Sequence, residues 1–290
     1  MQEKSRRIGV KEARQRLVTA GLHLRSFRFP LILGKNPIPE TRLRFYEQAI
    51  HIFGVENFEA LVDQFSRLKC PKKWRMTASS KRIARIAGKV FPLFGSILSH
   101  PKVNAAGIKI EIYPSSASQK PFNFSFNVNI GQDRIGAFNF TVYINRHEEP
   151  AVILGNMQGA SRNAISLFTE RTGKPFLNFF HTLFLEALPA RNQVFALNPK
   201  HHEYTRPRLE HVASAMHAKG MLTERQKRAF LMHSVLQHSF TRAEVQQVND
   251  LVLSEAAKIK TRGIGMHKAA LKKAGFRRSL GTFWRRKDLK

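Results

Sequence analysis

The chain has 290 residues, of which 42% are hydrophobic, and its formal net charge at pH 7 is +29. This apolar fraction is ordinary for a globular protein and excludes a disordered basic tail, and no apolar run reaches the ~18–20 residues needed to cross a bilayer. The single cysteine, Cys70, excludes an intramolecular disulfide and a zinc site built from several cysteines.

The positive charge lies at the two ends of the sequence. Residues 1–103 contribute +14 and residues 161–290 contribute +15, whereas residues 104–160 are neutral. We therefore predict a basic helical N-terminal region over 1–103, an α/β core over 104–215, and a basic helical C-terminal region and tail over 216–290. A field of this sign favours polyanions, namely nucleic acid, an anionic membrane face or a phosphorylated substrate, without choosing among them.

The N-terminal region has the apolar spacing of helices. Residues 1–30 form a basic amphipathic stretch, which we interpret as a surface helix on the core or as a membrane-surface helix. A helix pattern follows from Thr41 to about Leu68 and breaks near Gly54. The segment 69–89 is a basic linker that runs into a helix, and basic clusters of this kind are typical of a solvated face. No continuous apolar segment follows the N-terminus, so we expect a cytoplasmic protein.

The central region alternates apolar and polar residues with a period of two. This pattern predicts half-buried strands, with the apolar residues facing the core and the asparagines on the outer face. A hairpin loop is expected from Gly131 to Gly136. Residues 151–154 are continuously apolar and predict a strand buried on both faces, followed by a loop that starts at Gly155. The alternating residues are Ile108, Ile110 and Ile112, then Phe122, Phe124, Phe126, Val128 and Ile130, then Phe138, Phe140, Val142 and Ile144.

The sequence after this loop is mostly helical. A short helix is expected to end at Gly173, and a second, phenylalanine-rich helix is expected to begin at Pro175. Residues 193–197 predict another buried strand, and the C-terminal third is helical again. Two capping boxes are expected there, Thr223 with Gln226 and Thr241 with Glu244. The fold class is therefore α+β, with a central, mostly antiparallel sheet of five or six strands flanked by basic helices at both ends.

The order of elements around residues 151–164 resembles the core of the GNAT superfamily of N-acyltransferases. In that fold, the loop after the fourth strand binds the pyrophosphate of acyl-coenzyme A. The resemblance implies that Gln158, Gly159, Ala160 and Ser161 hold the coenzyme phosphates, where free N–H groups of a helix N-terminus suit an anion. The alternative is an ordinary strand-to-helix connection in which Ser161 or Asn163 caps the helix.

A longer stretch, over about residues 105–215, resembles the VirK/YbjX family of bacterial proteins. The resemblance implies an acyltransferase-like fold and a role in envelope homeostasis, virulence and resistance to cationic peptides. The segments that carry it are "ILGNMQGA" with Gly155, Gln158 and Gly159, "LFTERTGKPFLNFFHTLFLEAL" with Thr169, Gly173, Lys174 and Pro175, and "VFALNPKHHEYTRPR" with His202, Tyr204 and Arg206.

The densest group of titratable residues follows the last predicted strand of the core. Under the acyltransferase interpretation, Tyr204 or His202 protonates a leaving thiolate and Glu203 acts as the base, and the alternative is a polar surface loop. No metal site is expected, because adjacent histidines on a strand point in opposite directions. The sequence also lacks the motifs of a serine hydrolase or an ATPase.

A second hypothesis for function is non-catalytic binding of RNA or DNA. In the tail, residues 275–290, Phe276, Phe283 and Trp284 alternate with arginines, as in proteins that hold single strands. The same tail could dock on anionic lipid. The leading hypothesis is an acyl-coenzyme A-dependent, VirK/YbjX-like protein that acts at or near the anionic cytoplasmic face of the inner membrane, on anionic lipid or a phosphorylated envelope substrate.

Overall fold

The computed structural model divides the chain into two compact units, residues 1–196 with 285–290, and residues 197–284. The three-part division expected from the sequence stays a prediction. None of the helices in the described residues is long and apolar enough to span a membrane. The structure describes residues 6–23, 28–115, 123–159, 161–187, 194–201, 207–232, 239–278 and 283–286.

The first unit begins with helices joined by short turns. The break expected near Gly54 is confirmed, because Gly54 has a φ of 77° and separates two helices that share the predicted apolar face. Helix α1 buries Ala13 and Leu17, which favours a surface helix packed on the core. The elements are β1 (Arg7–Ile8), α1 (Val10–Thr19), α2 (Arg28–Ile32), β2 (Ile38–Pro39), α3 (Glu40–Phe53), α4 (Val55–Arg67), α5 (Lys72–Arg75), α6 (Ser79–Leu98) and α7 (Pro101–Ala105).

A mixed, mostly antiparallel sheet follows, which confirms the predicted α+β class. Its first four strands pair antiparallel in chain order, and the fifth pairs parallel with the fourth after a crossover through two helices. The elements are β3 (Ile108–Pro114), β4 (Phe124–Ile130), β5 (Asp133–Ile144), β6 (Pro150–Gly159), α8 (Arg162–Thr172), α9 (Phe176–Ala187) and β7 (Val194–Leu197).

The apolar face of this sheet forms the core of the first unit. Phe126 is fully buried and its ring lies 4.5–5.6 Å, centroid to centroid, from those of Phe138, Phe140 and Phe184. Each buried phenylalanine contributes roughly 1.5–3 kcal/mol through burial. Phe94 of α6 packs edge-on against Phe124 and extends the cluster to the N-terminal helices.

The polar face is not simply solvated, which corrects the expectation of an outer asparagine face. Ser125 is fully buried and Asn139 is 4% exposed. The Ser125 hydroxyl donates to Asn139 Oδ1 at 2.6 Å, and the Tyr113 hydroxyl donates to Asn127 Oδ1 at 2.8 Å. Buried polar groups are tolerated when they are bonded in this way, so alternation correctly predicted the strands but not the environment of their polar side.

Two strand boundaries also differ from the expectation. The hairpin loop is short, since β5 already starts at Asp133. Strand β6 runs on to Gly159, where the sequence predicted a loop from Gly155. The register between β5 and β6 shifts from Phe140↔Leu154 to Phe138↔Met157, which is a bulge with one extra residue on β6.

The second unit is helical, as expected for this part of the chain. Its core contains Val212, Met216, Val248 and Val252 from two of the helices. Both predicted capping boxes are present: Thr223 with Gln226, and Thr241 with Glu244. The elements are a 3-10 turn (Pro199–His201), α10 (Leu209–Ala218), α11 (Glu224–Met232), α12 (Arg242–Lys273) and the short strand β8 (Phe276–Arg278). A last short strand, β9 (Phe283–Arg286), has its first two residues in this unit and its last two in the first unit.

Candidate functional site

The predicted phosphate loop is shorter than the sequence suggested, and the space beside it is occupied by a side chain. Gly159 is the last residue of β6 and pairs with Gly136. The side chain of Ile165, from the first turn of α8, occupies the space beside it, so that a Cβ atom at position 159 would collide with Ile165 Cδ1 and Cγ1. This position is therefore filled by a half-buried side chain of the protein itself.

Ser161 is the N-cap of α8. Its hydroxyl accepts a hydrogen bond from the N–H of Ala164 at 3.1 Å, as in an ordinary capped helix. One of the N–H groups that an anion would use at this helix terminus is therefore taken. An anion would have to use the N–H groups of residues 162 and 163.

The other predicted site residues are placed only in part. Gln158 pairs with Ala137 through the backbone of β6, and its side chain lies outside the described residues. Ala160, His202, Glu203 and Tyr204 lie outside them as well. The predicted acid–base and coenzyme-binding roles of these residues stay predictions.

The parallel pair β6 and β7 gives this end of the sheet the geometry in which ligands commonly bind. The pairing runs from Val152↔Val194 to Leu154↔Ala196, and β6 continues past it to Gly159. In sheets with parallel strands, ligands bind beyond the carboxyl ends of those strands. The bulge on β6 adds local twist at the same place.

A second candidate site comes from a part of the chain that sequence reasoning regarded as a solvated face. From Gln64 to Ile110 the sequence contains 11 lysines and arginines and no aspartate or glutamate. Within this stretch, α5, α6 and the turn between them carry six exposed basic side chains, which we call the α5–α6 basic surface. They are Lys72, Lys73, Arg75, Lys81, Arg85 and Lys89.

Helical spacing aligns half of this surface. Lys81, Arg85 and Lys89 are four residues apart on α6 and lie on one side of that helix. The Arg85 guanidinium lies 5.6 Å from the ring centroid of Trp74, which joins α5 to the same face. Met76, directly after α5, is 87% exposed.

The basic residues of this surface are largely unpaired. Of the six, Lys73 alone forms an ion pair with a described residue, and its partner is Glu148 in the turn between β5 and β6. By contrast, Arg16 and Arg28 near the N-terminus bind carboxylates of Glu47 and Glu59 at 2.7 Å. Apart from Glu148, the acidic residues named here therefore neutralise a different surface.

Two hollows flank α5. One, of about 440 Å³, is lined by Lys73, Trp74, Ala84, Arg85, Gly88, Lys89 and Glu148. The other, of about 530 Å³, lies beside Lys69, Arg75, Arg146 and neighbouring residues of the β5–β6 turn. Both have several cationic side chains on their walls, which suits an anionic ligand.

The aromatic tail differs from the sequence-based hypothesis of a stacking platform. Phe276 is 3% exposed and Trp284 is 2% exposed, so neither offers a ring face to a base. Of the three aromatic side chains, Phe283 is the exposed one, with 37% of its surface accessible. Stacking on aromatic side chains requires accessible rings, so this tail gives the nucleic-acid hypothesis little support beyond its charge.

No protein-family model matches the chain, and no curated protein matches it. Among the described residues, no group of three or more His, Cys, Asp and Glu side chains is arranged to hold a metal ion.

Proposed function

We propose that this protein binds the anionic face of a phospholipid membrane through the α5–α6 basic surface. The observation that carries the proposal is the set of exposed, mostly unpaired lysines and arginines in a stretch without acidic residues. Such a surface repels itself in the free protein and is attracted to anionic headgroups.

Met76 favours a membrane over other polyanions. It is the most exposed large hydrophobic side chain among the described residues and lies between Arg75 and the start of α6. A protruding apolar side chain surrounded by basic residues can enter the boundary between headgroups and acyl chains while the basic residues bind the headgroups. A nucleic-acid backbone offers no comparable apolar layer.

Vesicle co-sedimentation tests the proposal. Wild-type protein should bind vesicles that contain phosphatidylglycerol and not vesicles of phosphatidylcholine alone. Replacing Lys81, Arg85 and Lys89 by glutamine should weaken binding roughly a hundredfold, since each basic residue near an anionic surface contributes about 1 kcal/mol. Met76→Ser should weaken the part of binding that persists at high salt.

A matched control removes the same charge elsewhere. Lys260, Arg262 and Lys273 are exposed residues of α12, and replacing them by glutamine should change binding far less. Equal losses of vesicle binding in the two triple variants would contradict a specific role of the α5–α6 basic surface. They would show that binding depends only on the net positive charge of the protein. Tight binding of a short RNA without vesicle binding would replace the proposal by the nucleic-acid hypothesis.

A second candidate function is acyl transfer from acyl-coenzyme A at the same membrane face, in a VirK/YbjX-like protein of the bacterial envelope. The supporting observation is the order of elements, in which antiparallel strands lead to β6, then to helix α8 and later to the buried strand β7, because the resemblance to N-acyltransferases rests on that order. The residues present fit the coenzyme in part, because Ser161 already binds the N–H of Ala164 and Ile165 fills the space at Gly159.

The test of this candidate is the thermal stability of the protein with acetyl- and long-chain acyl-coenzyme A. A stabilisation that survives high salt and increases in Ile165→Ala, which opens the space beside Gly159, would support a phosphate in the loop, with Gln158, Gly159, Ala160 and Ser161 around it. Loss of turnover in variants of His202, Glu203 or Tyr204 would then assign the acid and base. A shift that salt abolishes would reject the enzyme.

A further inference from the structure

The 440 Å³ hollow between α5, α6 and the β5–β6 turn contains a buried N–H donor that is incompletely satisfied. Trp74 is 1% exposed and lines the hollow. Its indole Nε1–H makes no hydrogen bond of ordinary geometry with a described residue, although it lies close enough to the Glu148 carboxylate to help lower the pKa of that group. A buried donor in this state is costly unless a ligand satisfies it.

The Glu148 carboxylate lies among these donors like a bound anion. It pairs with Lys73, and this contact is the largest cause of its lowered pKa, while Arg85 adds a favourable charge. Lys89 lines the same hollow and has no carboxylate partner among the described residues. Three cationic side chains therefore surround a single negative charge, which is less charge than a phosphate dianion would supply in its place.

The backbone holds Glu148 in this place in a conformation that L-residues rarely adopt. Its φ is 62°, and it is the one non-glycine residue with positive φ in the described chain. Asn145 Oδ1 accepts the N–H groups of His147 at 2.9 Å and Glu149 at 3.0 Å, and the Glu148 N–H donates to Asn145 O at 3.1 Å. Strain of this kind concentrates at functional sites.

We propose that this hollow is a binding site for a phosphomonoester group, and that the Glu148 carboxylate occupies the position of the phosphate when none is bound. A phosphate dianion that displaces this carboxylate would offer acceptors to the Trp74 N–H and two negative charges, in place of one, to Lys73, Arg85 and Lys89. This inference deepens the proposed membrane function and rests on it, because that function indicates where the phosphomonoester group comes from in the cell. That source is a lipid headgroup or a free phosphorylated compound.

Two pairs of matched variants test the site with inorganic phosphate at fixed ionic strength, followed by calorimetry. Glu148→Gln removes the competing anion and should tighten phosphate binding by at least about tenfold. Glu149→Gln makes the same change of net charge one residue away, outside the residues that line the hollow, and should change binding less than about twofold.

The second pair fills the hollow from α6. A Cβ atom at Gly88 meets nothing within 4 Å and Gly88 lines the hollow, so Gly88→Leu should fold normally and abolish phosphate binding. Gly95 is also in α6 with nothing within 4 Å, and Gly95→Leu should leave binding unchanged. Circular dichroism of both variants checks the fold.

The site is overturned if Glu148→Gln binds phosphate no more tightly than Glu149→Gln, or if Gly88→Leu binds as well as Gly95→Leu. Vesicles of phosphatidic acid and of phosphatidylglycerol, matched in surface charge, separate the two sources. Preference for phosphatidic acid that Gly88→Leu removes supports a headgroup phosphomonoester. If phosphate binds as expected but vesicles do not bind, the membrane function alone is refuted. If phosphate does not bind but vesicles bind equally to wild type and to Gly88→Leu, the phosphate site alone is refuted.

Discussion

The contact between Gly159 and Ile165 gives the sharpest test of the connection between β6 and α8. An added Cβ atom at position 159 would collide with Ile165 Cδ1 and Cγ1, whereas its next neighbour, the carbonyl oxygen of Ile135, lies at an ordinary 3.9 Å. One flexible side chain therefore accounts for the whole obstruction. We expect Gly159→Ala to destabilise the protein and Ile165→Ala to remove that effect.

The magnitude follows from two opposing contributions. Inserting a methyl group into a packed site costs about 1–3 kcal/mol, and Ile165 is half-buried, so it yields at the lower end. Replacing glycine by alanine also lowers the entropy of the unfolded chain, which contributes about 0.4–1 kcal/mol of stability. The net loss should be about 0.5 kcal/mol, becoming a gain of about 0.5 kcal/mol in the Ile165→Ala background, since only the entropic contribution then remains.

Urea unfolding measures this coupling. Trp74 is buried in the same unit as Gly159, so its fluorescence in a Trp284→Phe background reports on that unit. The free energy of unfolding is compared at constant denaturant slope in the four proteins of a double-mutant cycle. Gly95→Ala, which meets nothing within 4 Å, should have the same effect in both backgrounds.

The refuting result is a Gly159→Ala substitution that changes the free energy of unfolding equally in the wild-type and Ile165→Ala backgrounds. Ile165 would then not fill the connection, and an open cradle for the coenzyme phosphates would regain support. If the coupling is observed, Ile165→Ala becomes the variant in which acyl-coenzyme A should bind most tightly. The stability experiment thus also bears on the second candidate function.

Three further outcomes are expected. Phe126→Ala should cost about 3–5 kcal/mol of unfolding free energy, because Phe126 is fully buried among other rings; a loss below 1 kcal/mol would contradict the packing. Thr241→Ala should cost about 1 kcal/mol through loss of the N-cap of α12, whereas Thr261→Ala in the same helix should cost nothing. Hydrogen bonds from Arg225 and Thr241 lower the pKa of Glu244 from 4.5 to about 2. Its stabilising contribution is therefore complete above pH 4.5 and is lost as the pH falls towards 2, and Glu244→Gln should flatten acid unfolding in that window.

Local signals in the sequence predicted much of the fold. Alternation located the strands because one face of each packs against helices, and Gly54 and Gly173 ended helices where positive φ is required. The capping boxes were found because their chemistry is local. Residues 155–159 were missed as a strand because glycine, asparagine and glutamine rarely form one, yet pairing with β5 holds them in the sheet.

The candidate site was less accessible to sequence reasoning. The basic residues of α5 and α6 are evident in the sequence, but Glu148 lies 75 positions after Lys73, and its place beside that lysine depends on the fold. Burial of Trp74 within a basic segment was also not predictable from local pattern. A run of 47 residues without an acid was the available signal.

The distribution of acidic partners argues that the α5–α6 basic surface is kept for a ligand. In the first unit, Glu47, Glu59 and Asp63 neutralise Arg16 and Arg28. Arginines whose role is structural are therefore paired with carboxylates in this chain. On the α5–α6 basic surface there is one such ion pair among the described residues, and its carboxylate belongs to Glu148, which has a strained backbone conformation. The basic side chains of this surface repel one another, and the one carboxylate among them can be displaced. Such a surface is stabilised most by a partner that brings more negative charge. An anionic membrane that presents phosphomonoester groups has this property.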